Sequence, residues 1–259
     1  MLFKPNMVTV KKEFQWLLKE KYQGRYSAAF ARDITRLKKG EPLAYLIGFM
    51  HFLGCTIDLS ERPLIPRPET EFWTEKAIEE IRGRFTNSSS RAIRVLDMFA
   101  GSGCIGVSIM RHIPDATMVF AERSKKLIGQ VELNCHINGI AKKRFNAVQS
   151  DVFSAVKETF DVIVANPPYI ALRRKGKVHA SVLRHEPAIA LFGGADGLLY
   201  IEKFLTGARR FLNAGGLLFM EFDPGQKKGV ESICKKAGYG HFGCLKDQYG
   251  RWRYLVAKE

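Results

Sequence analysis

Phe160-Asp161-Val162-Ile163-Val164-Ala165-Asn166-Pro167-Pro168-Tyr169 runs from an almost wholly apolar stretch into an amide, two prolines and an aromatic ring. A short run rich in branched residues and closed by proline reads as a strand buried on both faces. Burial on both faces belongs to mostly parallel sheets covered by helices, and such sheets bind their ligands outside the carboxyl ends of the strands. Asn166 stands at that end. Its amide can exchange hydrogen bonds with a planar amide or amidine nitrogen, and the prolines stiffen the turn while removing N–H groups that would compete for the same partner. Tyr169 can cover a flat group. The combination suits methyl transfer to a planar, weakly nucleophilic nitrogen.

Outward from this stretch, further apolar runs at 93–97, 117–121, 145–149 and 217–222 alternate with segments of helical spacing. Strand and helix in alternation predict an α/β fold with a mostly parallel sheet. Segments 239–245 and 251–257, separated by Lys246-Asp247-Gln248-Tyr249-Gly250, predict a terminal hairpin that brings in an antiparallel strand. Between 7 and 40, Phe14, Trp16, Leu17, Leu18, Tyr22, Phe30, Ile34 and Leu37 recur at helical spacing with breaks at Gly24 and Gly40, which predicts two or three short amphipathic helices. The stretch 43–57, punctuated by Gly48 and Gly54, predicts a β-hairpin leading into a stiff linker at Pro63, Pro66 and Pro68. Thr70 and Glu71 open a helix to about Arg82, and Thr86-Asn87-Ser88-Ser89-Ser90 reads as a polar loop.

The turn Asp97-Met98-Phe99-Ala100-Gly101-Ser102-Gly103-Cys104-Ile105-Gly106 follows the run at 93–97 and opens a helix. Glycines at 101 and 103 admit a close ligand, and the helix start beyond them favours an anionic group such as a carboxylate. Glu122 ends the next strand, 19 residues after Gly103, where a carboxylate accepts hydrogen bonds from two ribose hydroxyls. Asp151 ends the third and can receive an exocyclic amine. These acids fit S-adenosylmethionine (SAM) or a dinucleotide. The glycines lie one turn late for a pyrophosphate loop, and a hydride-transfer enzyme has no use for Asn166-Pro167-Pro168-Tyr169, so the expected cofactor is SAM.

The 259 residues are 46% hydrophobic, enough for one large and one small domain. No apolar run is long enough for a membrane span and no secretory leader is visible, so a cytoplasmic protein without membrane contact is expected, most simply a monomer. The five cysteines form no pair with metal-ligand spacing; no metal is expected. The net charge is +15, and residues 1–40 carry ten Lys/Arg against three Asp/Glu. A second basic group, Arg173, Arg174, Lys175, Lys177 and Arg184, follows the Asn-Pro-Pro-Tyr turn. Such patches suit contact with a polyanion, including nucleic acid, or simply a solvated surface.

With these residues in place the chain resembles the HemK/PrmC family of glutamine methyltransferases, which act on the Gly-Gly-Gln motif of class I peptide chain release factors. The resemblance rests on Gly40-Glu41-Pro42-Leu43-Ala44-Tyr45-Leu46-Ile47-Gly48, on Leu64-Ile65-Pro66-Arg67-Pro68-Glu69-Thr70-Glu71, on Asn166 through Tyr169, on His185-Glu186-Pro187 and on Gly193-Gly194-Ala195-Asp196-Gly197. It implies a helical substrate-binding domain at 1–42, a hairpin and Pro-rich linker at 43–68, and a Rossmann-like, seven-stranded SAM-dependent domain at 69–259. It further implies that Asp97, Phe99, Ala100, Gly101, Ser102, Gly103, Glu122, Asp151, Val152 and Asn166 hold SAM, and that Asn166, Pro167, Pro168 and Tyr169 hold the glutamine. The family usually has Gly in place of Phe99, Asp in place of Glu122 and often an aromatic in place of Val152, so weaker or repositioned cofactor contacts are expected. The helical region is also short for the family. Competing expectations are an adenine-amine methyltransferase acting on DNA or RNA, a glutamine methyltransferase of a ribosomal protein, and a silent SAM-binding module.

Overall fold

The computed structural model describes residues 7–85 and 92–259; the polar segment Thr86-Asn87-Ser88-Ser89-Ser90 lies outside the described residues. Two helices, α1 (Met7–Tyr22) and α2 (Ala28–Lys38), pack with a short α3 (Leu43–Ile47) around Leu17, Phe30, Ile34 and Leu46. Beneath them the buried Asp33 accepts hydrogen bonds from Lys21 and Tyr22, each at 2.7 Å, and from Arg36 at 2.8 Å. Desolvation works against that carboxylate, but its three donors prevail and hold it below the ordinary carboxylate value.

The hairpin expected over 43–57 is shorter and later. It consists of β1 (Phe49–Phe52) and β2 (Cys55–Asp58), joined by Leu53 and Gly54 at φ 46° and 74°, the paired left-handed residues of a tight two-residue loop. Residues 43–47 are helical instead, because Leu46 is drawn into the helical core and Gly48, at φ 98°, closes the turn. The hairpin is clamped to the larger part of the chain. Asn134 and Asn138, one helical turn apart, each both accept from and donate to the backbone of β2, at Asp58 and Thr56. Residues i and i+4 of a helix match the two-residue repeat of a strand edge closely enough for this.

The remainder alternates as expected: α4 (Pro68–Phe85), β3 (Ile93–Met98), α5 (Cys104–His112), β4 (Ala116–Glu122), α6 (Lys125–Ile137), β5 (Phe145–Gln149), β6 (Phe160–Ala165), α7 (Ala180–His185), α8 (Ala188–Leu191), α9 (Leu199–Ala208), β7 (Leu212–Glu221), α10 (Lys227–Lys236), β8 (His241–Lys246) and β9 (Trp252–Lys258). The seven-stranded sheet has the order β5-β4-β3-β6-β7-β9-β8, parallel except for β9, which runs antiparallel to both neighbours. The strand order reverses between β3 and β6, and a crevice opens at their carboxyl ends.

Strand periodicity sorts the two faces. Val162 and Val164 of β6 and Leu217 and Phe219 of β7 face one core with α4, α5 and α6, while Ile163, Ala165, Leu218 and Met220 face the other with α9 and α10. Continuing that period by two places Asn166 and Glu221 on the α4 side of the sheet.

Candidate active site

The cleft at the switch point is lined by Phe99, Ala100, Gly101, Ser102, Glu122, Asp151, Val152, Asn166 and Pro168, together with residues of the α4 entry and of the loop after the Asn166–Tyr169 turn. Nine of the residues singled out from sequence therefore meet at one surface. Four do not line it: Asp97, Gly103, Pro167 and Tyr169. Asp97 lies behind the turn with no exposed surface, and its Oδ2 accepts from the Gly106 N–H at 2.9 Å. Burial pushes its carboxyl well above the ordinary value, and the nearby Glu122 charge adds to the rise. Gly103, at φ 76°, starts α5 with Val131 and Phe120 side chains 3.2 and 3.4 Å from where a Cβ would stand.

The turn itself is held in left-handed backbone at Phe99, Gly101 and Gly103, with φ 62°, 56° and 76°. A glycine is the usual occupant of such a conformation, so Phe99 carries strain there of about 1–2 kcal/mol. Its ring lies near Tyr200 and Phe204 of α9, with centroids at 6.0 and 6.2 Å, so its bulk is taken up on the α9 side. Val152 is likewise left-handed at φ 52°, a conformation rare for a β-branched residue. Strain of this kind persists only where the surroundings enforce it, and both instances flank the cleft.

Glu122 bridges the turn: Oε2 accepts from Gly101 N at 2.9 Å and Oε1 from Ser124 N at 2.7 Å. Its carboxylate thus meets the glycine turn at the cleft wall, with the exposed Asp151 further along the same wall. Asn134 donates to the Ser102 carbonyl at 2.9 Å, tying the turn to the same side chain that clamps the hairpin. A left-handed glycine turn and two carboxylates, Glu122 and Asp151, on one cleft wall fit the hydrogen-bonding groups of SAM.

Across the cleft, Asn166 donates through Nδ2 to Thr70 Oγ1 at 3.3 Å. Its Oδ1 is buried and has no partner among the described residues. Thr70 Oγ1 donates to Glu221 Oε2 at 2.6 Å, the Trp73 indole N–H donates to the same oxygen at 2.7 Å, and the Tyr169 hydroxyl donates to Oε1 at 2.9 Å. Glu221 is 1% exposed; burial raises its carboxyl above the ordinary value, opposed by these three donors and by Arg253. Burial, then Glu221, raise the Tyr169 phenol well above its ordinary value, so it is a neutral donor. Arg67 reaches Glu186 Oε1 at 2.6 Å, joining the α4 entry to the loop after the Asn166–Tyr169 turn.

The family described as Methyltransferase small domain matches residues 84–194. A release factor glutamine methyltransferase of Thermodesulfovibrio yellowstonii is 35% identical over 227 residues, covering 87% of this chain and 79% of that protein. One of Rhodopirellula baltica is 34% identical over 231 residues, covering 88% and 77%. The chain belongs to the release factor glutamine methyltransferase family. Solved structures share the fold of this methyltransferase at lower identity. The catalytic domain of hMettl16, in complex with a 3'UTR hairpin, superposes with TM-score 0.64 at 13% identity, covering 99% of this chain and 93% of that one. A 16S rRNA methyltransferase of T. thermophilus, solved with AdoMet and guanosine, gives 0.55 at 22%, covering 82% and 49%.

Sequence reasoning about this methyltransferase missed Glu221, Trp73 and the part played by Thr70. A signal was present: Leu217-Leu218-Phe219-Met220-Glu221-Phe222 sets one carboxylate into an otherwise apolar run at a strand end. Burying it demands partners.

Proposed function

We propose that this chain transfers the methyl group of SAM to the side-chain amide nitrogen of the glutamine in the Gly-Gly-Gln motif of class I peptide chain release factors. The observation that carries the reading is the buried Oδ1 of Asn166, a residue that lines the cleft: the oxygen has no partner among the described residues and is an acceptor able to take an N–H. Bound SAM supplies an electrophilic methyl on a sulfonium centre. Glu122 would receive the ribose hydroxyls, Asp151 the adenine amine, and the Phe99–Gly103 backbone the methionyl end.

An amide nitrogen is a poor nucleophile because its lone pair is delocalised into the carbonyl. Asn166 Oδ1 would accept one amide hydrogen and the Pro167 carbonyl, reached at the end of the turn, the other, which would direct the lone pair outward from the turn and stabilise the positive charge that grows on nitrogen. Orientation of this kind contributes roughly 7–11 kcal/mol in well-aligned systems; as the new N–C bond forms the C–S bonding pair returns to sulfur, and the proton displaced from nitrogen passes to solvent. Tyr169, its hydroxyl pinned by Glu221 and its ring packed against the core, keeps the turn rigid.

An adenine amine presents the same planar nitrogen, yet hMettl16 is similar at 13% identity, which speaks for fold alone, whereas the relatives above 30% carry the release-factor name. The exposed Arg173, Lys175 and Lys177 give this face an affinity for an anionic surface beside the motif. The reading places the enzyme in the cytoplasm, where release factors work. Mass spectrometry of a class I release factor incubated with the protein and SAM tests it, beside a Gly-Gly-Ala control and Asn166→Ala. One added methyl confined to that glutamine, lost with Asn166→Ala while calorimetric SAM binding persists, is the expected result. Transfer to RNA, DNA or a ribosomal protein instead would overturn the substrate.

A further inference from the structure

The two ends of an asparagine amide have nearly the same shape, so its neighbours decide which end faces a substrate. At Asn166 that choice is decisive. Oδ1 towards the cleft accepts a glutamine N–H; Nδ2 towards the cleft sets donor against donor.

We propose that Glu221 is a positioning residue that, through the Thr70 hydroxyl, fixes the Asn166 amide with its oxygen towards the substrate. The inference rests on the methyl-transfer role given to Asn166 above. Glu221 Oε2 receives both the Trp73 indole N–H at 2.7 Å and the Thr70 hydroxyl at 2.6 Å. An indole N–H only donates, so that oxygen is an acceptor, and 2.6 Å is the length of an O–H bond to a charged acceptor. The Thr70 proton is therefore committed to Glu221. What Thr70 Oγ1 has left for Asn166 is a lone pair, and at 3.3 Å it takes an Nδ2 hydrogen. The reverse amide would set Oδ1 against that lone pair. Direction thus passes from carboxylate to hydroxyl to amide, with Thr70 2%, Trp73 0% and Glu221 1% exposed, so water is not at hand to substitute for a missing member. Glu221 holds the other end of the same turn through Tyr169, at 2.9 Å.

Four variants separate this from a merely structural role. Thr70→Val keeps the shape and deletes the hydroxyl, leaving Nδ2 without a partner whenever Oδ1 faces the substrate. Glu221→Leu frees the Thr70 proton to turn towards Oδ1. Thr70→Ser keeps the relay. Glu221→Gln keeps it too, because the indole N–H requires the carbonyl oxygen at the Oε2 position, and the amide nitrogen then faces the Tyr169 hydroxyl, which is able to accept.

Single-turnover and steady-state methylation of a Gly-Gly-Gln release factor, with SAM affinity by calorimetry, reads the outcome. The expected result is kcat lowered roughly ten- to a hundredfold in Thr70→Val and Glu221→Leu, the consequence of a buried donor left unsatisfied. SAM affinity and the KM for the factor stay within about threefold, and Thr70→Ser and Glu221→Gln stay near wild type by the same reasoning. Should Glu221→Leu fail to fold, Thr70→Val against Thr70→Ser decides alone. Equal turnover in those two, with wild type active, overturns the relay and leaves the proposed function standing. Absence of transfer by wild type overturns the proposed function and the relay with it.

Discussion

Replacing Gly197 by alanine tests how rigidly the catalytic turn must be held. Gly197 lies on the loop after the turn at φ 85°, and a Cβ there would stand 2.2 Å from the Tyr169 carbonyl oxygen and 2.5 Å from Gln226 Nε2. Side-chain carbons essentially never approach closer than 3.0 Å, so the Tyr169 carbonyl must retreat by about 0.8 Å. It has little freedom to do so, since that oxygen accepts from Gln226 at 2.8 Å while the hydroxyl of the same residue is fastened to Glu221. The left-handed backbone costs an alanine about 1 kcal/mol and the disturbed hydrogen bond about 1 more, so the fold should survive with a melting temperature lower by about 4–8 °C. Activity should suffer further, because misplacing a reacting group by about 1 Å costs roughly a hundredfold in rate. The control is Gly176→Ala, in the same loop region, where a Cβ meets nothing within 4 Å. Methylation rates, SAM calorimetry and thermal melts of both variants make the comparison. Gly197→Ala turning over within about threefold of Gly176→Ala would refute the premise that this turn is positioned to better than 1 Å.

Two further outcomes concern the cofactor half. Asp97 is titrated upward by burial, so its native carboxyl holds a proton more readily than in the unfolded chain. Its contribution to stability is full below the unfolded value of about 4 and is lost as pH rises through the native one. Asp97→Asn, which mimics the protonated acid, should therefore be more stable than wild type at pH 8 with the difference closing towards pH 4; denaturant melts that run parallel across that range would show that the Asp97 carboxyl titrates alike in the native and unfolded chain. Phe99→Gly relieves left-handed strain of about 1–2 kcal/mol but gives up apolar burial of about the same size, so stability should change by no more than about 1 kcal/mol. SAM affinity should stay within about threefold, since the backbone already has the glycine conformation; a tenfold change by calorimetry would show that the ring, rather than the backbone, forms the cofactor wall.

Much of this fold was legible locally. Five strands of the sheet were foreshadowed by apolar runs and the last two by a terminal hairpin, and the two-residue period carries Asn166 to a strand end on the α4 side. The hairpin was misplaced because 43–47 was read with the aromatic and branched residues that follow it, although Leu43, Ala44 and Leu46 favour a helix and Leu46 is buried in the helical core. Phe99 at φ 62° could be suspected only from the family's glycine, whereas Val152 at φ 52° had no local signal. Asp97 was taken for a ligand contact, but its carboxylate turns beneath the loop to Gly106, an orientation that follows from α5 packing over β3.

The sequence by itself determined the sheet, the switch-point cleft and which residue types reach its rim, because periodicity and chain breaks are properties of neighbours. It left open what those residues touch. Thr70 meets Asn166 across 96 residues of chain and Glu221 across 151, and Arg67 meets Glu186 across 119. These partnerships exist because the first turns of α4 lie at the carboxyl ends of β6 and β7, burying polar groups whose solvation must then be replaced by one another. The direction in which the Asn166 amide points is settled there, in the tertiary structure, by hydrogen bonds that no local pattern encodes.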